Sequence, residues 1–272
     1  DNFNDYYDPN IKERNISSFK DNENFHIFRV DILEKNKLKD IFEKYKPEKI
    51  IHLAARTGVR SSLENPQIYN EVNVIGTINL LELAKEFEVK QVVFASSSSV
   101  YGKNEKVPFS EEDGLNNMIS PYAISKRSGE LYCKYYHEGF NIPVTCLRFF
   151  TVYGPRGRPD MAIYKFVSNA YKGEELEIYG DGNSERDYTY ISDIINGIMK
   201  VIEKELKSFN IINLGNSNPV KLDDLLQIIR DNVGKFNATH KEEQKGDVPK
   251  TYADISKAKK LLDWKPKVSI EK

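Results

Sequence analysis

Apolar residues along this chain come in short runs separated by longer stretches in which they recur every three or four positions. Residues 26–30 (His-Ile-Phe-Arg-Val) read as a strand, and 33–45 then carries the spacing of an amphipathic helix. Lys49-Ile50-Ile51-His52-Leu53 is a second apolar run, 66–87 a long helical pattern, and Gln91-Val92-Val93-Phe94-Ala95 a third run. A helix is predicted from Pro121 until Gly139 stops it, followed by the strand Val144-Thr145-Cys146-Leu147-Arg148. Apolar strands alternating with helices predict a parallel sheet covered on both faces. Ligands of such sheets bind beyond the carboxyl ends of the strands. Those ends carry Asp31, then Ala54-Ala55-Arg56, then Ser96 to Ser99, then Phe150-Thr151.

Past Tyr153 the composition changes. A Gly-Pro-Arg-Gly-Arg-Pro loop precedes a helix over 161–171, and Gly180 to Ser184 form a turn cluster. Further helices are expected over 193–204 and 221–232, and a strand over 209–214 that could rejoin the sheet. The predicted class is α/β, a Rossmann-like doubly wound parallel sheet with a smaller C-terminal α/β substrate domain. The first comprises 1–152, with 188–214 rejoining it; the second comprises 153–187 and 215–272. Residues 1–21 read as irregular. No strand, glycine-rich turn and helix opens the chain to hold a pyrophosphate, so the fold is expected to lack its first βα unit, beginning roughly 30 residues late.

Composition narrows the function classes. The chain of 272 residues has 40 basic and 41 acidic residues, a net charge of −1. No basic block argues for nucleic acid, and no apolar run is long enough to span a bilayer. The four histidines lack metal-ligand spacing, so no metal is expected. Cys133 and Cys146 in apolar settings fit a reduced, cytoplasmic protein.

The candidate chemistry centres on Ser120-Pro121-Tyr122-Ala123-Ile124-Ser125-Lys126. Ser120 is a suitable N-cap and Pro121 suits the first helical position. Tyr122 and Lys126, four apart, share a helix face. A lysine ammonium beside the ring would favour phenolate and lower the tyrosine pKa, tuning it to exchange a proton with a sugar hydroxyl. Such a pair also arises by chance. Ser97, 25 residues earlier at a strand end, makes the catalytic interpretation the stronger one. Asn73 within a helical pattern needs a reason to be there. Arg186, after a glycine-rich turn, suits a diphosphate better than a surface ion pair. His52 is expected to be a satisfied structural histidine.

With these residues in view, the chain resembles the extended short-chain dehydrogenase/reductase family of nucleotide-sugar enzymes, and within it the UDP-glucuronate 4-epimerases. The resemblance runs over essentially the whole chain. It rests on Asp1-Asn2-Phe3-Asn4-Asp5-Tyr6-Tyr7-Asp8-Pro9, His52-Leu53-Ala54-Ala55 with Gly58-Val59-Arg60, and the Ser96 to Gly102 loop. Tyr-x-x-x-Lys, Arg148 to Pro155, Gly157 to Ala162, Arg186 to Ile191 and Gly246-Asp247-Val248-Pro249 complete it. It implies a catalytic triad of Ser97, Tyr122 and Lys126. It implies NAD held by Asp1 and Asn2 at the adenosine ribose and by Asp31 and Ile32 at the adenine. Leu53, Ala54, Ala55 and Asn73 would line the pyrophosphate and nicotinamide-ribose side, and Tyr122, Lys126 and Phe150 the nicotinamide half. Thr151, Ile178, Tyr179, Arg186 and Asp247 would hold a UDP-sugar. Ser98, Ser99 and Arg158 are candidates to grip the sugar carboxylate. Some relatives carry arginine where Gln244 stands, so one diphosphate contact is expected to be weaker or missing.

The expected activity is NAD-dependent epimerisation at C4 of a UDP-sugar, UDP-glucuronate to UDP-galacturonate, through a transient 4-keto sugar, by a homodimer paired through 66–87 and 121–139. UDP-glucose/UDP-galactose 4-epimerase and UDP-glucuronate decarboxylase are the alternatives. An inactive, truncated nucleotide-sugar-binding protein is the non-enzymatic one. Dehydratases of the family carry acidic residues in the serine loop and decarboxylases a glutamate. Ser98 and Ser99 stand there instead.

Overall fold

The structure, a computed structural model, describes residues 1–242 and 248–271. Its first half holds α1 (Pro9–Ile16), α2 (Lys35–Tyr45), β1 (Lys49–His52), α3 (Val59–Glu64), α4 (Pro66–Asn70), α5 (Gly76–Glu86), β2 (Gln91–Ser97), α6 (Pro121–Phe140) and β3 (Val144–Phe149). There follow β4 (Thr151–Tyr153), α7 (Ala162–Lys172), β5 (Leu176–Tyr179), β6 (Glu185–Tyr190), α8 (Ile191–Lys204) and β7 (Asn210–Leu214). The chain then forms β8 (Pro219–Lys221), α9 (Leu222–Val233), β9 (Ala238–Lys241), β10 (Lys250–Thr251) and α10 (Ser256–Leu262).

The main sheet is parallel in the order β1-β2-β3-β7. Strand period decides which face each apolar residue serves. Val92, Phe94, Val144 and Cys146 pack with Leu81, Leu83, Ala84 and Cys133 of the α5–α6 layer. Val93, Leu147, Ile212 and Leu214 pack on the other side with Ile194, Ile198, Val201, Leu262 and Trp264. All of β2 is buried, as a central strand covered on both faces must be. Each such aliphatic or aromatic side chain contributes about 1.5–3 kcal/mol on burial. The strand ends are level: Ser97 stands opposite Phe149, and Phe149 opposite Leu214. A smaller sheet in the order β10-β6-β4, with β8 antiparallel to β6, and the parallel pair β5-β9 complete the described structure.

The sequence-based expectations hold for most elements, including the return of 210–214 to the main sheet. Three differ. Residues 26–30 form no strand. They run without a ladder partner among the described residues, with the His26 and Phe28 rings packed on Tyr45. The helix at Pro121 passes through Gly139 and ends at Asn141, whose left-handed φ of 56° lets its N–H close on the His137 carbonyl. The pattern over 66–87 is interrupted by a π-turn, Glu71–Ile75, between α4 and α5. The turn carries Asn73, and π-turns of this kind occur often at functional sites.

α6 lies close on β2 because Gly129 permits it. A Cβ there would stand 2.4 Å from the Phe94 ring. Ser120 accepts the Ala123 N–H at 3.1 Å and starts the helix one residue before Tyr122.

Candidate active site at the strand ends

Ser97 closes β2, and its hydroxyl accepts the Ser99 N–H at 3.1 Å and lies 3.1 Å from the Ser99 hydroxyl. Tyr122 meets it from the first turn of α6. The Tyr122 ring is packed edge-to-face on Tyr69, centroids 6.2 Å apart. Burial raises the phenol's pKa above its ordinary value. The Ser97 hydroxyl, by hydrogen bonding, and the Arg158 charge draw it back only in part.

This corrects one expectation. Lys126 shares the helix face, yet it is not among the groups that act on Tyr122. Its ammonium is buried, donates to the Ala95 carbonyl at 2.8 Å and lies over the Phe94 ring. The long side chain runs back onto β2 instead of along the helix. Burial lowers the Lys126 pKa to about 8, against the raising influence of Cys133 and Glu130.

Asn73 is explained by its bonds. Its amide oxygen accepts the Arg56 N–H at 2.7 Å, and its amide nitrogen donates to the Arg56 carbonyl and to Ser125, each at 2.9 Å. It ties the segment after β1 to α6. His52 is buried but only half satisfied, against expectation: Nε2 lies 3.0 Å from the Thr77 hydroxyl, Nδ1 has no hydrogen-bond partner, and burial lowers its pKa to about 3.

Two hollows are lined by residues near Ser97 and Tyr122. One, of about 380 Å³, is lined by Asp1, Asn2, Asp31, Ile32, Leu53, Ala54 and Ala55, together with Tyr6, Lys12 and Arg158. Asn2 donates to Asp31 at 2.5 Å across it. Seven of the residues expected to hold NAD, from three separate segments, thus share one cavity, and they fit such a cofactor. Phe150 lies in the core beside Tyr101 and Phe109. The other hollow, about 140 Å³, gathers Ser98, Ser99, Thr151 and Arg186 with Val59, Phe109 and Ser120. An apolar cleft of about 430 Å³ adjoins it, lined by Thr151, Arg158, Met161, Tyr164 and Val167.

The remaining expected sugar-site residues divide. Arg158 is paired with Asp160 through two hydrogen bonds, one of 2.8 Å, and its guanidinium lies over the Tyr6 ring. Arg186 donates to the Glu185 and Pro249 carbonyls at 3.0 and 3.4 Å. Ile178 is fully buried in a core with Leu176 and Leu225, so its side chain faces away from any ligand. Tyr179 lies under Arg60. Asp247 and Gln244 fall outside the described residues.

Sequence reasoning assigned no role to Tyr6 or Tyr69. Both hydroxyls donate to the Thr57 carbonyl, at 2.9 and 2.8 Å; Tyr6 lines the cavity with Arg158, and Tyr69 packs on the Tyr122 ring. No spacing signal links residues so far apart in the chain. Among the described residues no group of three His, Cys, Asp or Glu could hold a metal, and no helix is long and apolar enough to cross a membrane.

Residues 3–272 match the family model for GDP-mannose 4,6 dehydratase. A UDP-glucuronate 4-epimerase of Thermodesulfobacterium geofontis is 44 % identical over 273 residues, which span 100 % of this chain and 84 % of that protein. The fold superposes with a TM-score of 0.94 on the UDP-glucuronic acid 4-epimerase of Bacillus cereus, solved with UDP-glucuronic acid and NAD. That enzyme is 36 % identical, with 100 % of this chain and 86 % of the other covered. The UDP-glucose 4-epimerase of Thermotoga maritima gives 0.87 at 30 % identity, over 96 % and 91 %.

Proposed function

The chain belongs to the GDP-mannose 4,6 dehydratase family, and we propose that within it the protein epimerises C4 of UDP-glucuronate to give UDP-galacturonate, with NAD as cofactor. One observation carries this reading: Tyr122 hydrogen-bonds Ser97 and feels the charge of Arg158, which lines a cavity suited to NAD, while the neighbouring Ser98, Ser99 and Ser120 line a hollow of hydroxyls and arginine suited to a sugar nucleotide. Asp1, Asn2, Asp31, Ile32, Leu53, Ala54 and Ala55 line the cofactor side. Residues 1–152 with 188–214 form the cofactor-binding part, and 153–187 with 215–272 the sugar-nucleotide part. The return of β7 to the parallel sheet supports that division.

Bound NAD supplies a reversible hydride acceptor for C4. The chain's own groups handle the proton. Tyr122 exchanges it with the 4-hydroxyl oxygen, and Ser97 hydrogen-bonds the same oxygen and continues to Ser99. Burial raises the phenol's pKa, so the phenolate that takes the 4-hydroxyl proton is the minor form, and the phenol that results returns its proton to the 4-keto oxygen as the hydride comes back. Lys126 steadies the nicotinamide ribose. Thr151 and Arg186 hold the nucleotide diphosphate, where a guanidinium fork suits paired anionic oxygens. Ser98 and Ser99, in place of acidic residues, favour epimerisation over elimination of water or loss of carbon dioxide. Incubation with UDP-glucuronate and NAD, followed by sugar analysis, tests the assignment. UDP-galacturonate is the expected product. A UDP-pentose as sole product, or no conversion, would overturn it.

Arg158 provides the specificity. Oxidation at C4 makes a ketone β to the C5 carboxylate, and such an acid loses carbon dioxide when the two align. A guanidinium gripping the carboxylate prevents that alignment. Asp160 holds the guanidinium at the cavity in the meantime. Arg158→Leu is expected to weaken UDP-glucuronate use about ten- to a hundredfold, the worth of one or two charge-assisted hydrogen bonds. It should also raise the share of UDP-pentose and relax exclusion of UDP-galactose. Unchanged turnover, product and preference would refute the role.

The same reading makes the protein a cytoplasmic homodimer. Cys133 and Cys146 are free and buried, which suits a reducing compartment. Ile124, Leu131, Tyr132 and Tyr135 leave an exposed apolar stripe along α6, and Ile75 continues it beside α5. Two copies pairing α5 and α6 about a two-fold axis would cover both stripes. Sedimentation should show a dimer at micromolar concentration, and a charged residue at Leu131 should shift it to monomer. A wild-type monomer would refute the pairing.

A further inference from the structure

A buried polar network that the proton chemistry does not use lies beneath the Ser97–Tyr122 pair. Its hub is Glu130 on α6, two helical turns past Tyr122 and 1 % exposed. Its carboxylate accepts from Arg148 Nε at 2.8 Å and Nη2 at 2.9 Å, from Arg127 at 2.9 Å, and from the Ser96 hydroxyl at 2.6 Å. Arg148, equally buried on β3, donates on to the Tyr101 hydroxyl at 3.0 Å, which donates to Asn213 on β7 at 2.7 Å. Burial alone would raise the Glu130 pKa, but the bonds from Arg148, Ser96 and Arg127 outweigh it and hold the pKa below its ordinary value.

The attachment points are specific. Ser96 is the residue before Ser97, and Tyr101 ends the short helical turn that carries Ser98 and Ser99. Glu130 adjoins Gly129, where α6 already touches Phe94. Phe94 and Ser96, two apart on β2, therefore face α6 together. Apolar contact fixes the separation of strand and helix, while the Ser96–Glu130 bond fixes how far the strand end advances toward the first turn of α6.

We propose that Glu130 is a positioning residue for the reaction: through Ser96, and braced by Arg148, it sets the reach of the Ser97 hydroxyl to the Tyr122 phenol. This rests on the assignment of Ser97 and Tyr122 as the proton-handling pair. A charged hub suits the task because bidentate guanidinium–carboxylate bonding fixes orientation as well as distance, and small displacements of reacting groups cost large factors in rate.

Ser96→Ala tests it while leaving both arginines on Glu130. It is expected to lower kcat on UDP-glucuronate about ten- to a hundredfold with little change in KM. Ser96→Thr, which keeps the hydroxyl, should recover most of the loss. A second readout needs no sugar. With tyrosines carbon-13 labelled at Cζ and the signal of Tyr122 assigned by its loss in Tyr122→Phe, Ser96→Ala should move that titration to higher pH, because the Ser97 hydrogen bond that lowers it is weakened. Glu130→Gln should move it the same way. Wild-type kcat and an unmoved titration in Ser96→Ala overturn the proposal. So does a loss of kcat that tracks a loss of melting temperature with the titration unmoved, which assigns the network to stability alone. Should the wild-type protein fail to convert UDP-glucuronate, the assigned reaction fails, and the Tyr122 titration still decides the positioning role by itself.

Discussion

Tyr122→Phe is expected to cut turnover of UDP-glucuronate by about a hundredfold or more, the range for loss of a general acid–base. The ring is kept, so its edge-to-face contact with Tyr69 survives and the sugar nucleotide should still bind. Only the hydroxyl that meets Ser97 goes. The acidity of that hydroxyl supplies a second signature. Burial raises its pKa, so the phenolate fraction grows as pH rises through the alkaline range. Oxidation at C4 uses the phenolate, and wild-type turnover should climb with pH there, while the residual activity of the variant should not. Rates at several pH values, together with equilibrium binding of UDP-glucuronate, check both parts. Near-normal turnover in the variant would remove Tyr122 from the mechanism.

The second large effect is on stability in acid. His52 ends β1 in a fully enclosed site between Thr77 and the Phe94 ring, with Lys126 near. Desolvation comes first and the lysine charge second in lowering its pKa to about 3 from 6.5. Between those values the unfolded chain binds a proton at this imidazole that the folded chain refuses. Stability therefore falls as pH drops from 6.5 toward 3 and is unaffected by this group above 6.5. The contribution lost by pH 4 is on the order of 3 kcal/mol. His52→Gln removes the titration, so its unfolding free energy should fall less between pH 7 and pH 4 than that of the wild type, by about that amount. Urea unfolding at the two pH values measures it. Equal acid losses in both proteins would show that His52 does not set the acid limit.

Particular residues show how legible the molecule was. Ser120, Pro121 and Tyr122 announce a helix start because capping is local chemistry, and the helix starts there. The apolar runs over β1, β2, β3 and β7 announce buried parallel strands because period and burial are written in the residues themselves. Residues 26–30 share that composition and form no strand, since a strand exists only where another offers its hydrogen bonds. Gly139 carries a stop signal, yet the left-handed turn falls at Asn141.

The candidate site divides along the same line. Sequence alone determined that Ser97 and Tyr122 stand at a strand end and a helix start, and that Ala54 and Thr151 follow other strand ends, whereas Asp31 follows a segment that forms no strand. Those are consequences of chain order and local propensity. It also placed Lys126 four residues from Tyr122, which guarantees a shared helix face and nothing about where a long side chain goes. The tertiary structure decided that: the Ala95 carbonyl, brought close by the contact of Gly129 with Phe94, takes the ammonium, and burial takes over the acidity of Tyr122. It likewise brought Tyr6 and Arg158 to one cavity wall, Tyr6 and Tyr69 to one carbonyl, and Ser96, Arg148 and Asn213 to one carboxylate network. Helix caps and strand period are set by neighbours in the chain, whereas pKa values and hydrogen-bond partners depend on neighbours in space, which only the packed fold supplies.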